Sequence, residues 1–215
     1  MFIGHFGLGF GAKALASGTS LGTLLLAAQF LDLLWPSLLL LGVEQVRIDP
    51  GATRVTPLDF AQYPVSHSLA AVLVWALGLA LVHFSMRRAR RGAIVVGLLV
   101  VSHWLLDALV HRADLPLYPG GPLIGLGLWS SLPATLVLEL PIFALGLWLY
   151  TRATRTLDAT GRWSLWSLVA CLAAIYIANL FGPPPPSVAA IAWAGQLQWI
   201  LVAWGYWIDR HRAPV

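Results

Sequence analysis

Seven apolar runs set the terms on which this chain can fold. They occupy residues 2–16, 20–42, 67–86, 92–111, 130–150, 164–181 and 188–208. Several approach the ~20 residues that carry a helix across about 30 Å of hydrocarbon. Only 10% of the 215 residues are charged and 59% are hydrophobic, whereas a soluble domain carries roughly 25% charged residues. Eleven tryptophans also suit a bilayer, because their amphipathic rings favour the headgroup level. The expected fold is an all-α polytopic membrane protein, residues 1–215 forming one integral-membrane domain. About seven transmembrane helices are expected, or six if the short first run is re-entrant.

The segments between the runs carry the orientation signal. A net charge of +4 arises from short arginine clusters such as "RRARR", which read as topology determinants rather than as a nucleic-acid surface. With the N-terminus outside, Lys13, Arg87, Arg88, Arg90, Arg91, Arg152, Arg155, Arg162, Arg210 and Arg212 fall in the cytoplasm. Arg47, Arg54 and Arg112 stay outside, accompanied by Glu44, Asp49, Asp59 and Asp114. This is the positive-inside pattern, and it leaves the C-terminus cytoplasmic. The opening "MFIGHFGLGFGAKALASG" imitates a signal peptide, but Lys13 follows the apolar stretch and nothing basic precedes it, so it reads as mature chain. Pro36 is expected to kink the second run, and the spacing of Gly7 and Gly11 favours close helix approach. The single Cys171 excludes an intrachain disulfide and a cysteine-based metal site.

Against this background the ionisable residues stand out. Each costs about 2.5–3.5 kcal/mol at a bilayer centre, yet the runs hold His5, Asp32, His67, His103, Asp107, His111 and Glu139. In "SHWLLDALVH" the residues His103, Asp107 and His111 recur every four positions, so they climb one helical face. The turn "SGTS" lies equally far from His5 and Asp32. In an antiparallel hairpin those two share one depth, roughly 20 Å from the turn. The whole set then falls in the outer leaflet, drawn from four or five helices.

Imidazoles and carboxylates without a thiolate suit zinc, with manganese or iron as alternatives. A divalent ion offsets the burial of carboxylates and lowers the pKa of a bound water. The expected ligands of one or two ions are His5, Asp32, His67, His103, Asp107 and His111, with His67, His103 and Asp107 at the core. Glu139 or Asp59 is the expected base or water-positioning group. The reading that follows is hydrolysis of an ester or phosphoester in a lipid or lipid-linked substrate entering from the bilayer. The alternative is a proton- or metal-coupled transporter that uses the same cluster as a relay. A scaffold that binds a soluble partner through its arginines would leave the cluster unexplained. His83, beside Met86 and Arg87, reads as structural, and Asn179, Gln196 and Gln198 as interhelical hydrogen-bonders.

Gly4-His5, Asp32 in "QFLDLLW", Ser66-His67-Ser68, and Ser102-His103 with Asp107 follow one another in a recognisable order. In order and spacing they resemble the LexA-binding, inner-membrane-associated metal-dependent hydrolases, a family of small multi-pass bacterial proteins. The resemblance covers roughly residues 1–112. It implies residence in the bacterial inner membrane, a metal site on these residues and hydrolase activity. The chain departs from the family pattern at Leu34, where the family carries a second acid. It departs again at Gln62 and Tyr63, where the family carries His-Arg, and so resembles a divergent branch. The His-x-x-x-Asp helix is also similar to that of zinc-dependent phospholipase C.

Overall fold

The computed structural model describes all 215 residues and is mostly helical. The helices are α1 (Ile3–Gly11), α2 (Leu21–Ala28), α3 (Phe30–Leu40), α4 (Pro64–His67) and α5 (Leu69–Arg87). They continue with α6 (Arg90–Val110), α7 (Leu132–Ala153), α8 (Ala159–Phe181), α9 (Val188–Gln196) and α10 (Gln198–Arg210). Three small antiparallel strand pairs lie between helices: β1 (Gln45–Ile48) with β2 (Leu58–Gln62), β3 (Leu115–Pro116) with β4 (Leu123–Ile124), and β5 (Thr154–Thr156) with β6 (Arg212–Pro214).

The helix starts are written into the sequence. Ser20, Ser68, Ser131, Asp158 and Ser187 each accept a backbone N–H from the first turn of the helix that follows. Such a cap satisfies a donor that the helix itself leaves unpaired.

Five helical segments are long and apolar enough to cross a membrane: α5, α6, α7, α8 and the α9–α10 stretch. The α2–α3 pair makes six if its two halves count as one span, because they meet at an angle of 58°. Five or six spans by length and composition do not confirm a count of seven, and six would accord with the form in which the first run does not cross. The first apolar run yields nine α-helical residues and a three-residue 3-10 turn at Ala12–Ala14, which together rise about 20 Å, short of a bilayer core. The bend in the second run also falls elsewhere than expected, at Gln29 rather than at Pro36. Pro36 sits inside α3, and its missing N–H frees the carbonyl of Asp32 four residues earlier. Gln198 of α10 donates to that carbonyl at 3.4 Å.

Burial distinguishes the segments. In α6, 56% of the apolar window is buried, against 11–28% in the other four. α5 exposes Leu73, Val74, Leu77, Leu81 and Val82, a surface that hydrocarbon tolerates and water penalises. α6 is thus the central helix, and it carries both His103 and Asp107.

The short α1 lies directly against α7. A Cβ at Gly7 would stand 2.7 Å from the Ile142 carbonyl oxygen and the Phe143 Cα, and one at Gly146 would run into the Gly7 backbone. The small-residue spacing is therefore used for backbone contact. We predict that Gly7→Val or Gly146→Val destabilises the protein by about 1–3 kcal/mol through overpacking, read as a lowered melting temperature in detergent. Gly78→Ala, where a Cβ meets open space, should instead be neutral or stabilising, by up to about 1 kcal/mol.

Candidate metal centre

Five of the expected residues converge at one end of α6. His103 Nε2 lies 3.2 Å from Asp107 Oδ2 and 3.7 Å from Asp32 Oδ1. His67 Nε2 lies 3.6 Å from the same Asp32 oxygen and 3.8 Å from the same Asp107 oxygen. His5 Nε2 is 3.1 Å from the other Asp107 oxygen, Oδ1, and its ring stacks on His103 with centroids 3.6 Å apart. Met1 N also lies 2.7 Å from Asp107 Oδ1. His5, His67, His103 and Asp107 are buried, whereas the Asp32 side chain is 25% exposed. Asp32 is therefore the member through which the cluster meets the surface, and its Oδ1 is the atom turned towards both imidazoles.

Each residue arrives by a local device. His103 and Asp107 share a face of α6 at i and i+4. The break after α2 presents the Ala28 carbonyl, which accepts from His103 Nδ1 at 2.7 Å. A carbonyl can only accept, so His103 carries its hydrogen on Nδ1 and, as a neutral ring, turns the Nε2 lone pair towards the carboxylates. That Nε2 is buried without a hydrogen-bond partner. Four residues make α4, which ends at His67 before Ser68 starts α5. His67 Nδ1 lies 2.7 Å from Ser66 Oγ, and that hydroxyl donates to Glu44 Oε2 at 2.6 Å. With the hydroxyl hydrogen committed to Glu44, the oxygen accepts from His67 Nδ1–H, and the His67 Nε2 lone pair also faces the cluster. Glu44 is itself buried and accepts the N–H groups of Val65 and Ser66 at 2.8 Å each.

Two lone-pair nitrogens aimed at two carboxylate oxygens repel one another unless a proton or a metal cation sits between them. A tetrahedral ion with bonds of about 2.0–2.1 Å sets its donors roughly 3.3–3.4 Å apart. The four separations observed, 3.2, 3.6, 3.7 and 3.8 Å, lie close to that spacing. The donors thus fit a divalent ion, either through Asp32, His67 and His103 or through His5, His103 and Asp107.

The other three candidates lie outside this cluster. His111 caps α6, its N–H still bonded to the Asp107 carbonyl at 2.8 Å, but its side chain turns to groups outside the cluster. Its Nδ1 bonds Asp114 at 2.9 Å, and its ring packs among Phe60, Tyr63 and Trp129. Glu139 accepts from Phe2 N at 3.0 Å and Gly4 N at 3.3 Å, an acid seated at the start of α1. Asp59, on β2, pairs with Arg112 and, at 3.8 Å, with Arg47.

Glu44 and the Ala28 carbonyl had no signal in the sequence. One is an acid in a polar loop and the other a backbone group freed by a bend. Tyr63 donates its hydroxyl to Asp114 at 3.1 Å. Burial, and then the neighbouring Asp114 carboxylate, push the Tyr63 phenol well above its ordinary range, so it remains a donor.

No family model, curated protein or solved structure matches the chain. The site therefore rests on its own geometry. We predict that Ser66→Ala or Glu44→Gln weakens the affinity for added zinc about 10–100-fold by releasing His67, measured by competition with a chromophoric chelator. Arg47→Gln, which touches only the surface pair with Asp59, should leave that affinity unchanged.

Proposed function

We propose that this protein is a multi-pass hydrolase of the bacterial inner membrane, with its N-terminus outside, that uses a bound divalent ion, zinc first, to cleave an ester or phosphoester. The observation that carries this reading is the cluster of His67 Nε2 and His103 Nε2 with Asp107 Oδ2 and Asp32 Oδ1. Its four imidazole-to-carboxylate separations are 3.2–3.8 Å, and with His5 it contains two triads close enough to hold an ion. Its residues are those of the family that the first half of the chain resembles. A lipid or lipid-linked substrate is favoured because the cage lies inside a body of apolar helices and reaches the surface at Asp32.

Within this reading His67, His103 and Asp107 hold the ion, and Asp32 completes the set at the accessible edge. When bound, the ion supplies Lewis acidity and makes a water acidic enough to act near neutral pH. The protein's own groups do the rest. His5 donates to Asp107 Oδ1 and stacks on His103, which keeps Oδ2 and Nε2 turned into the cage. Asp32 Oδ2 forms no hydrogen bond in the structure and takes the proton of the attacking water. This assigns the base to Asp32 rather than to Glu139 or Asp59, whose carboxylates are engaged by the α1 backbone and by arginines.

Elemental analysis of the pure protein tests the reading. About one transition-metal ion per chain is expected, and His103→Ala or Asp107→Asn should remove it. A folded preparation that holds no ion after incubation with zinc, and is unchanged by His103→Ala, would sink the metal centre and leave the relay. The topology has its own test in a Cys171→Ser background. Cysteines at Gly51 and Ala89, both exposed, should react with an impermeant maleimide from opposite sides of the membrane; labelling from one side would overturn the proposed orientation.

A further inference from the structure

At the end of the bundle away from the His/Asp cage, the α5–α6 turn closes on the segment that joins α1 to α2. A cavity of about 270 Å³ lies between them, walled by residues 14–19 on one side and by His83, Arg87, Ala89, Arg91 and Gly92 on the other. No acidic residue lines it. Four arginines crowd the turn, Arg87, Arg88, Arg90 and Arg91, all exposed. The arginines that form ion pairs in this protein are Arg47 and Arg112; none of these four does.

Three further observations point to an anion. His83 is 9% exposed, and its Nε2 is buried without a hydrogen-bond partner. That nitrogen and Thr19 Oγ1 meet at Gly92, where a Cβ would stand 2.7 Å and 2.6 Å from them. Glycine at 92 therefore leaves room for these two polar atoms to pack against the α6 backbone at the floor of the cavity. Finally, α6 follows Ala89, which offers no side-chain cap, and has no acidic residue in its first turn. Its free N–H groups and the positive end of a 21-residue helix face this turn.

We propose that this cavity binds a phosphate group, carried by an anionic lipid headgroup or free in solution. Arg87 and Arg91 supply charge-assisted hydrogen bonds, the N–H groups at the start of α6 supply neutral ones, and His83 Nε2 supplies a donor at the floor. The site lies where two apolar helices end in arginines, the level at which an anionic headgroup meets a polybasic turn. It gives the arginines a task beyond orientation and His83 a task beyond packing, and it does not depend on the metal reading.

The full chain in neutral detergent tests it in two arms. Native mass spectrometry with phosphatidylglycerol or phosphatidylcholine reads the lipid source. A thermal-shift titration with inorganic phosphate, against chloride at equal ionic strength, reads the free ion. Arg87→Gln/Arg91→Gln should lower phosphatidylglycerol occupancy about fivefold, whereas Arg155→Gln/Arg162→Gln, an equal loss of charge on exposed residues, should lower it less than about twofold. Gly92→Val, which displaces His83 and Thr19 from the floor and keeps every charge, should match the first pair; if it does not fold, the arginine pairs decide. A phosphate-dependent shift that Arg87→Gln/Arg91→Gln abolishes, without lipid selectivity, assigns the site to the free ion. Equal adducts of the two lipids with no phosphate shift would overturn the proposal, as would identical behaviour of the two arginine pairs.

Discussion

A carboxylate buried in a body of apolar helices must be met by hydrogen-bond donors or by a cation. The way this protein meets that demand organises its structure. Glu44 and Glu139 are satisfied by backbone N–H groups at the starts of α4 and α1. Those are the two short helices that carry His67 and His5. The buried glutamates thus anchor the segments that deliver imidazoles, and Asp107 and Asp32 face the imidazoles so delivered. Glutamate builds the frame and aspartate furnishes the site.

The backbone makes a matching contribution. A regular helix through residues 21–40 would spend its own carbonyls on itself. The break at Gln29 releases the Ala28 carbonyl to orient His103, and Pro36 releases the Asp32 carbonyl to Gln198. Irregular backbone inside an apolar bundle is tolerated where neighbouring side chains satisfy it. Here both irregularities flank Asp32, so the accessible acid is held between two fixed points of the chain.

α6 links two chemically opposed ends. One gathers imidazoles and carboxylates around His103 and Asp107; the other gathers unpaired arginines around an uncapped helix start. Lys13 belongs to the basic end yet is buried, and it is held at 3.4 Å from Asp209 and by the Thr19 carbonyl. Charge is therefore segregated along the bundle axis, with paired groups inside and solvated ones at the arginine turn.

The sequence alone determined the helical class, the placing of His103 and Asp107 on one helical face, and the set of ionisable groups that needed partners. Periodicity and the cost of burying charge are local and legible. The equal distance of His5 and Asp32 from one turn placed the two at one depth, and the structure brings both against His103 rather than against each other. Local rules failed where tertiary contacts overrode them. His111 has the right spacing and its N–H still bonds the Asp107 carbonyl, but its ring is held by Asp114, Tyr63 and Trp129. The first run is apolar enough for a span, yet it closes after nine α-helical residues and a 3-10 turn against α7. Which carboxylate holds the frame and which faces the cage was decided by tertiary contact alone. Glu44, Glu139 and Asp59 differ from Asp32 only in what lies across from them, and a one-dimensional pattern carries no information about groups that are distant in the chain.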